Sequence, residues 1–542
     1  MYKKHAFRLL APLLLAPLLA CAEPVNEQPA PLYEALQRLP EACAKPLADI
    51  DQQAREQLFA LYRQHHFEPL WTAYEQLDQL LIQLDALADD GLEPATYHPE
   101  TIRRALQTAT AEPLQRECSD LLASHGYLLA LRHLAQGRLS QERLEPIWRD
   151  PGAVQQQQEN ARLLEIASQA LEQASPQLAF DKARPALEQY RNLRKAYAQL
   201  STDEQPDPLA IPSGKTLRPG MSDPRLPLLR QRLSDDGHLV DTAWTADAAD
   251  NRYNASDEAA LKTFQRHHGL QDDGILGAET LATLNATRDE RLGQLRVNLE
   301  RFRWFARDIE AQSLLVDIAG GRVIHIHQGQ PLWETRAQVG RSTRQTPAIK
   351  SSVTRLTLHP TWTVPPTIMR EDKLPKIREN LDYLAQQGLQ VLDHQGNPLD
   401  PQLIDWRNPG NILLRQAAGP DNPLGRVAIR FANPFSIYLH DTPSQSLFAR
   451  SQRAFSSGCV RVESVMQLID LLLADTEHVR FEQLLETGKT YEFRLSQPMP
   501  ILLAYWTAEA DSAGQPRYRP DIYQRDRNLL AALRAADRSA IP

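Results

Sequence analysis

The residue types best suited to chemistry gather near position 450. They run Tyr438-Leu439-His440-Asp441-Thr442, then fifteen residues from Asp441 to Phe455, then Ser456-Ser457-Gly458-Cys459-Val460-Arg461-Val462. A thiol attacks as its thiolate, and a free pKa near about 8.5 leaves little of that form at neutral pH. An imidazole beside the thiol removes the proton, which makes Cys459 a candidate nucleophile and His440 its base. The local pattern predicts His440 at the end of a β-strand and Cys459 at the opening of a helix over about 462–473. A helix start offers partial positive charge and unpaired N–H groups, and so predicts a thiol of low pKa. The N–H groups around Ser457, Gly458 and Cys459 are then candidates to hold an oxyanion, with Gly458 allowing close backbone approach.

Two neighbours carry alternative readings. Tyr438 lies two residues before His440, on the same strand face, and either enters the same pocket or packs in the core. Arg461 serves either as a structural ion-pair partner or as a cation on the substrate side. Other chemistries find less support. His325-x-His327 puts two imidazoles on one strand face without a third ligand nearby, and neither HExxH nor CxxC occurs, so no metal is expected. The chain has no P-loop and no evident SxxK serine motif, and no organic cofactor is expected.

The elements that must position these residues belong to a long chain. At 542 residues it exceeds one core and predicts three or four domains. The net charge of -8, without a basic stripe, gives no footprint for nucleic acid. The first residues read as an export signal: Lys3, Lys4 and Arg8 precede an apolar run broken by Pro12 and Pro17, too short to span a bilayer. Ala20-Cys21-Ala22 fits simple cleavage before Glu23, whereas Leu18-Leu19-Ala20-Cys21 fits lipidation at Cys21, the only membrane contact expected. Of the four cysteines, Cys43 and Cys118 are a possible pair in an oxidising compartment, which leaves Cys459 single.

From about 30 to 200 the pattern is helical, with Leu77, Leu80, Leu81, Leu84 and Leu87 at helical spacing and another apolar stripe over 121–134. A Pro-, Ser- and Gly-rich stretch over 201–225 marks a linker. A helix ending at Gly269, a turn at Asp273-Gly274 and a second short helix follow. From about 295 the pattern turns to β: a hairpin over 314–327, then strands over 334–339, 354–358, 427–431 and 436–440. The polar, partly helical stretch 365–425 interrupts them, and an insertion of that length inside a β domain suits a lid.

The central stretch closely resembles the signature of the YkuD-type L,D-transpeptidases, a His and then Ser/Thr-His-Gly-Cys after a spacer of this length. His440 matches the catalytic His, Cys459 the acylated Cys, and Arg461 an arginine usual in that family. Ser457 departs from it, standing where most members carry a second His. The large periplasmic transpeptidases of the YcbB type share the Ser-Ser-Gly-Cys-Val-Arg variant. The resemblance extends to Val339-Gly340-Arg341, Thr346-Pro347, Thr361-Trp362-Thr363-Val364-Pro365-Pro366, Tyr505-Trp506-Thr507 and Ala135-Gln136-Gly137-Arg138. The unit containing Phe264-Gln265, Gly269-Leu270, Asp273-Gly274 and Leu284-Asn285 resembles a small three-helix peptidoglycan-binding domain.

The resemblance implies a multidomain α+β chain: a signal peptide (1–22), a helical scaffold (23–205), a peptidoglycan-binding domain (206–287), a mainly-β catalytic domain (288–500, with 365–425 inserted as a lid) and a tail packed on the scaffold (501–542). It implies a periplasmic enzyme in which Cys459 attacks a tetrapeptide stem, releases D-alanine and passes the acyl group to another stem as a 3–3 cross-link. Tyr438 would point toward the pocket and Trp362 would line the lid side of the cleft, carbapenems would acylate Cys459, and other wall-synthesis enzymes are possible partners. A cysteine carboxypeptidase acting on the same stems and a non-catalytic wall-binding scaffold are the rival readings. A scaffold would have no reason to keep a thiol of low pKa.

Overall fold

The computed structural model describes residues 31–43, 45–108, 113–150, 156–203, 206–207, 209–239 and 251–540. The export-signal and Cys21 readings lie outside the described residues. No helix among those described is long and apolar enough to cross a membrane.

The N-terminal helices form as their leucine spacing requires. Helix α1 (Tyr74–Asp85) buries Leu77, Leu80, Leu81 and Leu84 on one face. Helix α2 (Pro113–Gln136) is enclosed nearly all round from Ser119 to Ala135, so it has no polar face and serves as the axis of this domain. A Cys43–Cys118 disulfide fastens the start of the chain to α2. The small domain follows as α3 (Leu226–Asp235), α4 (Ala255–His267) and α5 (Ala278–Leu284). Its core joins Leu229, Leu233, Tyr253, Leu261, Phe264 and Leu284. Helix α4 opens on a capping box between Asn254 and Asp257. It closes with Gly269 at a φ of +64° and the Leu270 N–H bonded to the Gln265 carbonyl, a Schellman-type stop.

Helix α6 (Arg288–Phe305) leads into the β domain but packs with the scaffold, in one core with Tyr190, Leu193 and Trp506. The sequence boundary at 288 therefore divides a shared core. Eight strands follow: β1 (Ser313–Asp317), β2 (Arg322–His327), β3 (Gln330–Gly340), β4 (Ala348–Leu358), β5 (Val427–Phe431), β6 (Leu439–His440), β7 (Val460–Val462) and β8 (Tyr491–Ala504). They pair in the closed order β4-β8-β1-β2-β3-β7-β6-β5, with β5 returning to β4. Closure encloses Val316, Val323, Val339, Leu356, Ile429, Leu439 and Val460, and the scaffold strand Ile147–Arg149 covers the edge left at the start of β4. Because β8 runs through residue 500, the expected boundary there cuts a barrel strand.

The insertion begins at Trp362 rather than at 365. Strand Trp362–Thr363 joins Leu413–Gln416 and Leu389–Leu392 in a separate three-stranded sheet. Val364, Ile377, Leu384, Leu389, Val391 and Leu414 give it a core of its own.

The scaffold, barrel and C-terminal helix α8 (Asp526–Ala540) meet on two buried arginines of α6. Arg301, with no exposed side-chain surface, binds Glu145 at 2.7 Å and Asp526 at 2.6 Å. Arg303 pairs with Glu300 at 2.7 Å and donates to the Asp90 carbonyl at 2.7 Å. Removing one partner of a buried ion pair leaves the other charge uncompensated, at a cost of about 3–5 kcal/mol. Arg301→Ala is accordingly expected to lower unfolding free energy by about that amount. Urea denaturation followed by far-UV circular dichroism checks this, and a loss under about 1 kcal/mol would mean the clamp is dispensable.

Candidate active site

Strands β6 and β7 are parallel, with Leu439 opposite Val460 and His440 opposite Arg461. The Val460 N–H donates to the Tyr438 carbonyl at 3.1 Å, which carries the same register back to Tyr438 and Cys459. Successive side chains of a strand point to opposite faces. Leu439 and Val460 are therefore sent into the barrel core, while Tyr438, His440, Cys459 and Arg461 share the opposite face. Strand β5 adds Arg430, whose guanidinium lies 4.0 Å from the centre of the Tyr438 ring. Strand β3 adds Gln338, whose amide oxygen accepts from Arg461 Nη1 at 3.1 Å.

The expected helix start at Cys459 is not formed. Cys459 instead leads into β7, and helix α7 (Val465–Leu472) begins only after it. The β-branched Val460 and Val462 fill barrel positions, and that burial outweighs helix continuation through them. The turn before the cysteine is held by side chains instead. Gly458 has a φ of +117°, a conformation closed to other residues at acceptable cost. Its N–H donates to Ser456 Oγ at 3.0 Å, and its carbonyl accepts from Thr346 Oγ1 at 2.8 Å. Ser456 Oγ in turn donates to the Cys459 carbonyl at 2.5 Å. The Gly458 N–H is thus already engaged, which removes it from the expected oxyanion donors.

Cys459 is a free, half-buried thiol with Sγ 3.6 Å from the Ser436 carbonyl. Burial raises its pKa above the usual thiol value. Tyr438, through its backbone and hydroxyl, and the charges of Arg430 and Arg461 oppose that rise without cancelling it. The expectation of a low-pKa thiol is therefore corrected: the resting group is S–H. His440 is buried, and its pKa is pushed down to about 3 by burial and then by the charge of Arg461. Its Nδ1 lies 2.5 Å from the Asp441 carbonyl, which can only accept. That fixes the proton on Nδ1 and leaves Nε2 as the basic nitrogen. The site rests as neutral thiol and neutral imidazole.

The other expected residues divide. Ser457 stands in the turn, its hydroxyl accepting from Arg344 Nη1 at 3.0 Å. Arg344 also binds Asp372 and Glu371 of the insertion, each at 2.6 Å, and so joins the insertion to the turn before Cys459. Arg461 keeps Nε buried and without a partner among the described residues, a donor available to an incoming oxygen. Trp362 packs in the insertion that the sequence reads as a lid, with Lys373 Nζ 5.5 Å from its ring. Its sheet partners there, not its sequence proximity to a lid, decide its position.

Arg430, Gln338, Arg344 and Tyr523 escaped sequence reasoning. Arg430 alternates correctly within Val427–Phe431, but only the pairing of β5 with β6 brings it to Tyr438. Tyr523 donates to the Gly340 carbonyl at 2.6 Å and accepts from the Thr346 N–H at 3.0 Å, steadying the loop that holds Gly458 from far along the chain.

Comparison with known proteins agrees with the resemblance. Residues 311–480 match the YkuD family, an L,D-transpeptidase catalytic domain; residues 222–284 match a putative peptidoglycan binding domain, and residues 56–196 a scaffold domain. A putative L,D-transpeptidase of Haemophilus influenzae is 36% identical over 225 residues, 41% of this chain and 46% of that protein. The chain thus spans about half the length of the curated relative it matches. Among solved structures it is similar to an Ldtfm–avibactam carbamoyl enzyme, with 14% identity, a TM-score of 0.19, and 36% of this chain and 49% of that one covered. It is also similar to an L,D-transpeptidase from Xylanimonas cellulosilytica, with 15% identity, a TM-score of 0.17, and coverage of 54% and 99%. The chain carries a YkuD-type catalytic domain beside a peptidoglycan-binding domain.

A resting thiol of raised pKa has a kinetic signature. Alkylation of Cys459 by iodoacetamide is expected to be slower at pH 7 than that of an unstructured cysteine peptide, and to keep rising above pH 9. Arg461→Gln removes a charge that favours thiolate and is expected to slow alkylation at pH 8. A rate plateau spanning pH 6 to 8 would instead reveal a preformed thiolate.

Proposed function

We propose that the chain is an exported L,D-transpeptidase that builds 3–3 cross-links in peptidoglycan through a Cys459 thioester. The observation carrying this is the β6–β7 register, which sets Tyr438, His440, Cys459 and Arg461 on one face. The family match over 311–480 supplies the reaction class.

The neutral resting states of Cys459 and His440 support a proton transfer coupled to attack. His440 Nε2 takes the thiol proton as Sγ adds to the carbonyl of the donor stem's diamino acid, at its bond to the terminal D-alanine. Charge then appears in two places. The imidazolium is stabilised by the carbonyls of Asp441 and Pro423, both of which favour the protonated ring. The negative charge moves from sulfur to the carbonyl oxygen, where the unpartnered Arg461 Nε can donate to it. Collapse of the tetrahedral intermediate breaks the C–N bond, and His440 returns its proton to the departing D-alanine amine. The side-chain amine of a second stem attacks the thioester, with His440 again accepting a proton, and the thiol is restored. The same thiol should be acylated by carbapenems, and the small domain would hold the chain to its polymer.

Disaccharide-tetrapeptide is the substrate to test, with products read by mass spectrometry. The wild-type chain is expected to yield a dimer lacking one D-alanine, Cys459→Ala to yield none, and His440→Ala to lower the rate by about 10²–10⁴. Because His440 stays neutral down to about pH 3, kcat/KM should hold between pH 7.5 and 5 instead of falling near 6.5. Tripeptide without dimer would assign water as acceptor and make the chain a carboxypeptidase. No reaction of either kind would leave a wall-binding scaffold.

A further inference from the structure

The small domain touches the barrel at the loop connecting His440 to Cys459. The Ser451 N–H donates to Gln271 Oε1 at 3.3 Å, and the Gln452 side chain binds Glu279. On its other side the His268 ring stacks on Tyr518 of the C-terminal segment, with centroids 5.5 Å apart and planes at 11°. Between these contacts lies a cleft of about 620 Å³, walled by the end of α4, the β1–β2 turn, the stretch from Phe448 to Arg453 and the C-terminal segment.

Seven arginines line this cleft against three carboxylates. The carboxylates are already matched: Asp272 to Arg266, Glu463 to Arg336 and Glu334 to Arg322. Arg519 is matched to Glu509, outside the lining. Arg453 spends its guanidinium on the backbone carbonyls of Gly320, Gly321, Ala337, Arg450 and Ser451, none of which cancels its charge. Burial, followed by repulsion from Arg336 and Arg519, lowers its pKa to about 10. Arg450 and Arg517 are exposed, and neither guanidinium makes a hydrogen bond or close ion pair among the described residues, although Arg517 stands opposite Glu509 across a strand pair and its charge acts on that carboxylate. The cleft therefore carries surplus positive charge with two exposed guanidinium groups whose donors are free of hydrogen-bonded carboxylates, the arrangement that binds carboxylates in forked pairs.

We propose that this cleft is a second binding site, in which Arg450 and Arg517 hold the carboxylates of an acidic peptidoglycan stem. The choice of stem peptide as the anion rests on the transpeptidase reading; the anion preference rests on the cleft. Arg450 sits in the loop that leads into Cys459. A stem held here presents its strand at the seam between the small domain and the catalytic face.

Calorimetric titration of the full chain with disaccharide-tetrapeptide, and with the same compound amidated at its carboxylates, tests this without requiring turnover. Binding by the wild-type chain is expected to weaken at least tenfold in R450E/R517E, and similarly on amidation of the ligand. It should hold in R407E/R494E, which changes net charge equally at exposed sites outside the cleft. Cys459 alkylation at unchanged rate in each variant verifies an intact fold. Equal binding by R450E/R517E, equal loss in R407E/R494E, or no binding by the wild-type chain would overturn the proposal. Arginine-dependent binding without any Cys459-dependent product would overturn the transpeptidase reading while leaving the cleft. Product formation with arginine-independent binding would do the reverse.

Discussion

Two residues of parallel pairing, Leu439–His440 against Val460–Arg461, constrain everything else in the catalytic domain. A parallel pair needs a crossover, and this one is made by a loop with little regular structure of its own. The loop must reverse tightly at Ser456–Cys459 to enter β7 in register. Shifting the register by one residue would turn Cys459 into the barrel and Val460 out of it. The contacts around the loop read as defences against that slip. Ser456 and Thr346 fasten the Gly458 turn, and Arg453 ties the loop to the carbonyls of Gly321 and Ala337 on the neighbouring hairpin.

The same logic operates between domains, with buried arginine as the device. Arg301 and Arg303 have no exposed side-chain surface, and burying a guanidinium without partners would be prohibitive. Each is satisfied only when the scaffold, α6 and, for Arg301, the C-terminal helix stand in one arrangement. Such pairs add little net stability compared with apolar packing, but they make alternative arrangements costly. The tail, placed this way, delivers Tyr523 to the Gly340–Thr346 loop and so supports the turn before Cys459.

Much of this was legible in the sequence because it depends on local chemistry. Leucine periodicity located α1 and α2, and Gly269 marked a helix end for the reason that makes glycine suitable there. The pair Cys459 and His440 stood out by residue type and spacing. What failed depended on partners distant in sequence. The apolar stretch after Cys459 reads as helix by itself, yet Val460 and Val462 are claimed by the barrel, so α7 starts later. The insertion's first strand was missed for the same reason, since Trp362 joins it only by pairing with Gln416 more than fifty residues on. Arg430 and Arg344 carry no local signal at all, since each acquires its role through a strand or loop opposite it.

The corrected thiol pKa changes how the site must be understood. Burial and the nearby arginines act together on His440, both disfavouring its charged form. On Cys459 they act against each other, burial favouring S–H and the arginines favouring the anion. A resting thiolate–imidazolium pair is therefore suppressed from the histidine side, even though the cations suit a thiolate. Under the proposed mechanism, Arg430 and Arg461 would act on a negative charge that exists only during reaction. A guanidinium that stabilises charge on sulfur also stabilises it on a carbonyl oxygen bonded to that sulfur, so its field is not lost as the electrons move. Preorganised charge of this kind needs no rearrangement at the moment of bond formation. In the proposed reaction, a neutral resting pair beside two arginines that no carboxylate among the described residues neutralises would favour the transition state over the ground state, which is the condition for a barrier to fall.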